Sequence, residues 1–361
     1  MVDRRCIVRM WRDGTAKVLV TLVRTEGSSY RRPGAHLLIG SHGAEYAGTI
    51  SGGCLEAEVV RKAAWMVRDG AIVERYSTLF DDTAEIPFGL GCGGVVDLLF
   101  EPTDTPECEA LLNAMERSLS GDEFRVATWL PTGSSVLRRA VFDASGNVLF
   151  ASSSLSEQEI RSVAADVYVE RLAPPQRLLV LGAGDDVKPV VSMAALLGWR
   201  VVVAEGRAQL AKAERFPEAE RVCTIRSAAE LEPRAGDAVV LMTHSYEQDR
   251  ALLKDLLGAA EVPGYIGLLG ASHRSSLLIS EAAAMLGVGV DECCAKVWAP
   301  VGLDLGGDGA EAIALAVISE VHAWREGRLN SARRLTAENV AEQIAKGGAS
   351  RYLQTQCAIG S

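Results

Sequence analysis

Two short glycine-and-cysteine motifs contain the residue types best suited to chemistry. The first is Ser51-Gly52-Gly53-Cys54-Leu55-Glu56 and the second is Gly91-Cys92-Gly93-Gly94. An apolar run precedes the first motif and a helical pattern follows it, which predicts a strand, a tight turn and a helix over residues 54–69. We expect Ser51 to cap that helix and Cys54 to lie in its first turn.

The start of a helix presents unpaired N–H groups and the positive end of the helix dipole, and both favour a bound anion. The same field favours the thiolate form of cysteine, so we expect Cys54 to be the most reactive cysteine. The alternative is a strand-to-helix turn with a buried, inert thiol, because free cysteines are usually buried. The glycines around Cys92 allow either a close approach to a ligand or a strained bend between strands. Two such motifs in one half of the chain indicate a shared pocket.

A third polar motif, residues 26–34, contains Ser28, Ser29, Arg31 and Arg32. Hydroxyl, backbone N–H and guanidinium donors of this kind can bind a phosphate or a carboxylate. Many surface loops have the same composition, so the motif is a weak signal when taken alone.

The eight cysteines show no CxxC pair and no repeated metal-ligand spacing. We therefore expect neither structural zinc nor a disulfide framework. The adjacent Cys293 and Cys294 are either a redox or soft-metal pair or two ordinary thiols.

The second half of the chain alternates strand and helix patterns. The strand Arg177–Leu181 precedes Gly182-Ala183-Gly184-Asp185-Asp186, a helix, and a second strand that ends at Glu205. This is most of a dinucleotide-binding unit, with glycines for the turn and an acid for a ribose hydroxyl. The fingerprint is incomplete, because Val187 holds the third glycine position and two aspartates oppose a pyrophosphate.

Further candidate ligands follow later strands of this half. Thr243-His244 follows one strand, and His273 and Arg274 follow another. Ligands of open parallel sheets lie outside the carboxyl ends of the strands, so these side chains are placed for binding. The alternative for each histidine is a satisfied structural role.

These patterns predict an α/β protein with an N-terminal mixed α+β domain and a C-terminal Rossmann-like parallel-sheet domain. The break at Pro174-Pro175 predicts domains over residues 1–172 and 176–327, followed by a polar tail over residues 328–361. We expect helices over residues 156–168 and 310–326, among others. The last of these helices should bury Ile313, Val317, Ile318 and Val321.

Composition restricts the classes of function. The 361-residue chain has a net charge of −10, which argues against a nucleic-acid or acidic-membrane partner. Its N-terminus lacks the apolar core of a signal peptide, and no run reaches the length of a membrane span. We expect a cytoplasmic protein, and a homodimer because symmetric dimers are the commonest oligomers.

In their order, these motifs resemble the XdhC/CoxI family, the accessory proteins of xanthine dehydrogenase. The resemblance also includes residues 264–270 and 300–306, and it covers about residues 2–327. The sequence departs from the family pattern at Tyr30, where proline is usual, and at Glu205, where aspartate is usual. Ala310-Glu311-Ala312 stands where a Pro-Glu-Glu-like run is usual.

The resemblance implies a chaperone for molybdopterin, the molybdenum cofactor, that is not itself an enzyme. Such a protein holds the cofactor while a cysteine desulfurase supplies its terminal sulfido ligand, and helps to insert it into an apo molybdenum hydroxylase. On this hypothesis Cys54 and Cys92 bind the metal, and the phosphate or pterin is held by Ser28, Ser29, Arg31 and Arg32. The glycines that face the cofactor are Gly52, Gly53, Gly93 and Gly94.

The C-terminal domain would then form a second wall of the site or a partner-docking surface. Its candidate cofactor-binding residues are Gly182, Gly184, Glu205, His244 and Arg274. The alternative function is a nicotinamide-dependent oxidoreductase that binds NAD(P) through Gly182, Gly184 and Glu205 and uses His244 as acid–base. A third hypothesis is that the Rossmann-like half only dimerises the protein.

Overall fold

A computed structural model of the chain describes residues 2–41, 45–53, 55–77, 94–133 and 135–329. These residues form two compact units that divide between Ala173 and Pro174. None of the helices in the described ranges is long and apolar enough to cross a membrane.

The first unit is built of two antiparallel sheets and four helices within the described ranges. In chain order its elements are α1 (Val2–Arg12), β1 (Ala16–Gly27), β2 (His36–Gly40), β3 (Tyr46–Gly48), α2 (Glu56–Met66), β4 (Ile72–Ser77), β5 (Gly94–Pro102), α3 (Pro106–Ser120), β6 (Phe124–Trp129), β7 (Arg138–Asp143), β8 (Val148–Ala151), α4 (Glu157–Arg161) and β9 (Tyr168–Leu172).

The five-stranded sheet of this unit has the order β3-β2-β1-β5-β4, and the four-stranded sheet has the order β8-β7-β6-β9. The central strand β1 is buried on both faces and alternates between two cores. Val18 and Val20 pack in the core that contains Val59 of α2, and Leu19 packs in the core that contains Leu112 of α3. This alternation follows from the two-residue period of a strand.

A buried ion pair joins the two sheets of the first unit. Arg139 on β7 donates from Nη1 and Nη2 to the carboxylate of Glu101 on β5, at 2.8 and 3.0 Å. The Nε of Arg139 also donates to Thr128 Oγ1 at 3.1 Å, and its Nη1 donates to the Glu107 carbonyl at 2.7 Å. Both charged side chains are almost completely buried, so each one compensates the buried charge of the other.

The second unit follows the α/β alternation that the sequence predicts. Its elements are β10 (Arg177–Leu181), α5 (Val187–Leu196), β11 (Arg200–Glu205), β12 (Arg221–Thr224), β13 (Ala238–Leu241), α6 (Tyr246–Leu257), β14 (Tyr265–Leu268), α7 (Ser272–Leu286), α8 (Val290–Cys294), β15 (Val297–Trp298) and α9 (Ala310–Arg325), with short 3-10 helices at Ala213–Arg215 and Ala228–Leu231.

All six strands of the second unit are parallel and have the order β12-β11-β10-β13-β14-β15. This is the strand order of a Rossmann fold. One core contains buried residues of α5 and α9, and the other contains buried residues of α6 and α7. The predicted fold class, a mixed α+β domain followed by a Rossmann-like domain, is confirmed.

Three predictions of local structure were wrong. The helix predicted over residues 156–168 ends at Arg161, and Tyr168–Leu172 is strand β9, paired with β6. Helix α4 has a capping box at Ser156 but buries none of its residues, so it has no apolar face to extend along. Helix α9 buries Ala314, Val317, Ile318 and Val321, at the i, i+3, i+4, i+7 spacing of one stripe, while Ile313 is 38% exposed.

The third error is at the start of α2. This helix begins at Glu56, and its N-cap is Leu55 rather than Ser51. Helices α7 and α8 were not predicted at all.

Candidate functional site

Parts of the three N-terminal motifs meet at one end of the five-stranded sheet. Gly94, the first residue of β5, pairs with Gly27, and a Cβ added to Gly94 would lie 2.0 Å from the Ser28 carbonyl oxygen. A Cβ added to Gly52 would lie 2.7 Å from ring carbons Cδ1 and Cε1 of Tyr30. The polar loop at residues 28–32 therefore contacts both the first glycine motif and the last residue of the second.

The two arginines of the polar loop differ in their contacts with the described residues. Arg31 Nη2 donates to Asp3 Oδ2 on α1 at 2.7 Å, and Ser29 Oγ donates to the Arg31 carbonyl at 2.8 Å. Arg32 is exposed and makes no side-chain hydrogen bond or ion pair with the described residues, and Ser28 is also exposed. Arg32 is thus the better placed of the two guanidinium groups for binding an external anion.

The carboxylate of Glu56 fills the inside of the first glycine motif. Oε1 accepts hydrogen bonds from Thr49 Oγ1 at 2.5 Å, Ile50 N at 3.0 Å and Ser51 N at 2.9 Å. Oε2 accepts from Gly53 N at 2.9 Å and from the Ser51 hydroxyl. Five donors around one side chain fix the path of the loop from Thr49 to Gly53.

This arrangement corrects the expectation that unpaired N–H groups at this turn bind an external anion. The N–H groups of Ile50, Ser51 and Gly53 donate to Glu56, and Gly52 N donates to Thr49 Oγ1 at 3.0 Å. Leu55 N donates to Ser51 Oγ at 2.8 Å, so Ser51 supports the turn without being the N-cap. A carboxylate of the protein itself holds the anion position.

Glu56 is stabilised in its charged form. The side chain is buried, which raises its pKa, but the hydrogen bonds from Ser51 and Thr49 outweigh that effect and lower the pKa to about 2. Glu56 is therefore an anion throughout the physiological pH range. Its role was missed from the sequence, where it was noted only as part of the motif.

Glycine is required in this turn for two different reasons. Gly52 has a φ of +84°, and any side chain there would also collide with the Tyr30 ring. Gly53 has a φ of +113°, which favours glycine, and no atom of the described residues lies within 4 Å of a Cβ position there. A close contact with Tyr30 therefore requires glycine at position 52, and the backbone conformation favours glycine at both positions.

Cys54, Cys92 and Gly93 lie outside the described residues, so their predicted roles stay predictions. Within the described ranges, no group of three His, Cys, Asp or Glu side chains is placed to bind a metal. Cys293 is buried and its neighbour Cys294 is exposed, and both are free thiols. An open groove of about 990 Å³ in the first unit, lined by Trp65, Ile72 and Val136, contains none of the predicted site residues.

The second unit brings its predicted residues to the carboxyl edge of the parallel sheet. A Cβ added to Gly184 would lie 3.1 Å from His244 Nε2, and a Cβ added to Gly182 would lie 2.3 Å from the Met242 carbonyl oxygen. His244 has a left-handed backbone with a φ of +59°, and its Nε2 lies 3.1 Å from Asp186 Oδ2. The two loops therefore contact each other, as the position of the strand ends predicts.

Two acidic side chains lie at this edge where a pyrophosphate would approach. Asp185 and Asp186 lie directly before α5, where the phosphates of a dinucleotide approach a helix N-terminus. Asp185 pairs with Lys188 at 2.8 Å and with Arg215 at 3.0 Å, so its carboxylate is ionised and two cations compensate it. The pKa of Asp185 is accordingly below its usual range, first because of the Lys188 hydrogen bond.

Glu205 is bound within the protein instead of facing a ribose. Its carboxylate accepts hydrogen bonds from Ala183 N, from Arg207 N and from Arg207 Nε and Nη2, all at 3.0–3.1 Å. Burial raises the pKa of Glu205, but the Arg207 guanidinium outweighs this and keeps the pKa below its usual range. Arg207, which was not predicted as a site residue, thus donates to the carboxylate that was expected to bind a ribose hydroxyl.

Arg274 is held by a residue that the sequence analysis also missed. Its Nη2 donates to Asp249 Oδ2 at 2.7 Å, and its Nη1 donates to the Leu269 carbonyl at 3.3 Å. The buried Asp249 also accepts from Thr243 Oγ1 at 2.6 Å. This network fixes the orientation of a partly exposed guanidinium beside the loop that contains His244.

Comparison with known proteins gives the family. The model of the XdhC and CoxI family matches residues 10–77, and the model of the XdhC Rossmann domain matches residues 178–321. The chain belongs to the XdhC and CoxI family. Both the polar loop and the first glycine motif fall within the first matched range, whereas Gly91-Cys92-Gly93-Gly94 lies outside both ranges.

Relatives of this XdhC/CoxI chain match it along most of their length. A Bacillus subtilis protein named as a probable xanthine dehydrogenase subunit is 25% identical over 331 residues, which cover 86% of this chain and 93% of the relative. The molybdenum cofactor insertion chaperone PaoD of Escherichia coli is 26% identical over 329 residues, covering 90% and 89%. A crystal structure described as a xanthine dehydrogenase from Bacillus halodurans superposes with a TM-score of 0.77 and 26% identity, covering 92% of this chain and 98% of the other.

Proposed function

We propose that this chain is a molybdenum cofactor chaperone, which binds molybdopterin and assists its insertion into a xanthine dehydrogenase-type molybdenum hydroxylase. One observation supports this most: the polar loop and parts of both glycine motifs meet at one end of a sheet. Membership of the XdhC and CoxI family and similarity to a protein named as a cofactor insertion chaperone support it further.

The described residues fit the organic part of this cofactor. Molybdopterin carries a phosphate, and Arg32 and the Ser28 hydroxyl are exposed donors in the polar loop. Gly52 and Gly94 have no side chain, so their backbone packs directly against the Tyr30 ring and the Ser28 carbonyl and holds this loop in place. Ser29 and Arg31 support the loop internally, so we assign them to its shape more than to direct contact.

We assign the metal end of the cofactor to Cys54 and Cys92, with Gly53, Gly93 and Gly94 beside them. When bound, the cofactor supplies a soft molybdenum–dithiolene centre, for which thiolates are suitable neighbours. The role of the chain is to bind and orient the cofactor and to limit the access of water to it. Glu56 supports this role by fixing the loop that leads to Cys54.

Three finer parts of the proposal go beyond binding and insertion. A cysteine desulfurase supplies the sulfido ligand while the cofactor is held on this chain, and the chain acts as a homodimer. The Rossmann-like unit serves as the docking surface for the client enzyme, with His244 and Arg274 at the exposed edge of its sheet. Gly182 and Gly184 allow the two loops there to pack closely.

Co-purification tests the proposal. The chain is expressed anaerobically in a host that makes molybdopterin, and bound molybdenum and pterin are assayed. We expect near-stoichiometric pterin, and a large loss of it in Cys54→Ala without a change in thermal unfolding. The matched control is Cys294→Ala, which removes an exposed thiol of the other unit. Absence of pterin from the wild-type protein refutes the function, and normal retention by Cys54→Ala refutes the role of that cysteine.

The proposal does not extend to a nicotinamide cofactor. Two aspartates precede α5, and the carboxylate of Glu205 is occupied by Arg207 and Ala183 N. An oxidoreductase would need both positions for the pyrophosphate and the ribose.

A further inference from the structure

Tyr30 lies where the three N-terminal motifs meet, and its side chain is open to solvent. The residue is 74% exposed, the second most exposed of the large hydrophobic residues described in the structure. Part of its ring lies against Gly52, at 2.7 Å from the position of an added Cβ. The ring therefore rests on the turn of the first glycine motif and leaves most of its surface uncovered.

Folding alone does not account for this position. An aromatic ring stabilises a fold through the area that it buries, and Tyr30 buries little. Yet Gly52 accommodates this ring with a residue that has no side chain and a φ of +84°. An exposed aromatic ring held against a fixed backbone is suited to contact with a ligand.

The neighbours of Tyr30 supply polar groups on both sides in the sequence. Arg32 is exposed and has no side-chain partner among the described residues, and Ser28 is exposed with its carbonyl beside Gly94. One loop thus combines an exposed aromatic ring, an exposed guanidinium and a hydroxyl. These groups match a ligand that joins a flat heterocycle to an anionic group.

We propose that Tyr30 is a stacking platform for the flat heteroaromatic ring of a pterin, while Arg32 binds the anionic group of the same ligand. The inference deepens the proposed function and rests on it, since it names the residues that recognise the organic part of the cofactor. Tyr30 selects for ring systems, and the cysteines are not needed for this contact.

Binding of a free pterin that carries neither molybdenum nor phosphate tests the platform. The full chain is titrated into the fluorescent pterin, and the dissociation constant is obtained from the change in fluorescence. We expect Tyr30→Ala to weaken binding by about 5- to 150-fold, the range caused by loss of one aromatic stacking partner. Tyr30→Phe keeps the ring and should stay within about threefold of wild type, a difference below 1 kcal/mol.

The matched control is Tyr46→Ala, which removes another exposed tyrosine, 54% exposed on strand β3. We expect it to bind the pterin like wild type. Because Tyr30 is exposed, its replacement should leave thermal unfolding unchanged, and that measurement accompanies each titration.

In the free-pterin titration, three results overturn the inference: equal affinity of Tyr30→Ala and wild type, an equal loss in Tyr46→Ala, or no binding of the free pterin by wild type. The proposed function fails separately, if wild-type protein from the anaerobic host contains no molybdopterin. Molybdopterin retained equally by wild type and Tyr30→Ala contradicts the platform alone.

Discussion

Removal of the Glu56 carboxylate should release the first glycine motif. In Glu56→Ala, the N–H groups of Ile50, Ser51 and Gly53 lose their acceptor, and two hydroxyl donors lose theirs. Glu56→Gln keeps the size of the side chain, but its NH₂ group replaces one of the two acceptor oxygens and faces the loop's N–H and hydroxyl donors. Both variants should therefore open the loop that leads to Cys54.

The magnitude follows from the pKa of Glu56. Its ordinary value is 4.5 and its value in the fold is about 2. At 1.36 kcal/mol per pKa unit, the charged carboxylate contributes about 3 kcal/mol more than the protonated form. Because the folded pKa lies below the unfolded one, this contribution is present above pH 4.5 and is lost as the pH falls towards 2.

Amide hydrogen exchange measures the effect at the loop itself. A loss of about 3 kcal/mol corresponds to roughly 100-fold less protection of Ile50, Ser51 and Gly53 if the loop opens locally. Urea unfolding at pH 7 and pH 3 measures any global effect, and the difference between wild type and Glu56→Ala should shrink at pH 3.

The control is Glu58→Ala on the same helix. Glu58 pairs with the exposed side chains of Arg61 and Lys62 and makes no hydrogen bond to the described part of the loop, so its removal should cost below about 1 kcal/mol. Equal protection of the three amides in wild type and Glu56→Ala would refute the reasoning. A stability difference that does not decrease at low pH would refute the assignment to a charged carboxylate.

Two further predictions concern other parts of the chain. NAD or NADP at millimolar concentration should not stabilise the protein, because the Glu205 carboxylate already accepts hydrogen bonds from Ala183 N and Arg207. A thermal shift equivalent to roughly 2.7 kcal/mol, the value expected at 100 times Kd, would contradict this. Glu101→Ala should lower the free energy of unfolding by about 3–5 kcal/mol, since it leaves Arg139 charged and buried. Urea unfolding measures this change. The control is Arg171→Ala, which removes an exposed ion pair with Glu123 and should change the free energy of unfolding by about 1 kcal/mol or less.

The fold could largely be predicted from the sequence where one period dominates a segment. The buried strand Arg177–Leu181, the glycines after it and the strand ending at Glu205 define the parallel sheet through local pattern alone. The helix prediction for residues 156–168 failed, because the helix ends at Arg161 and strand β9, Tyr168–Leu172, begins where the helix was expected to end. This strand exists because β6 offers it a partner. Pairing between distant segments has no local signal, so periodicity could not separate this strand from the helix before it.

The sequence supplies candidate residues for the site, which stay predictions, but not their arrangement. The position of Gly94 beside Ser28 depends on the register of β1 and β5, and the contact of Tyr30 with Gly52 joins two loops that are distant in sequence. The role of Glu56 had a signal, because an acid three residues after Gly53 can reach back to the N–H groups of a turn. Arg207, two residues after Glu205, likewise offered a local partner for the predicted ribose ligand.

Glu56 and Glu205 play the same structural role in their two units. In each unit a glycine-containing turn presents N–H groups, and a carboxylate of the chain accepts from them. Turns filled in this way are fixed before any ligand arrives, so ligand binding does not have to order them. On the proposed function, the phosphate of the cofactor is bound by the exposed side chain of Arg32, and salt weakens such a contact. Reversible binding of this kind would suit the proposed chaperone role, in which the cofactor is released to another enzyme.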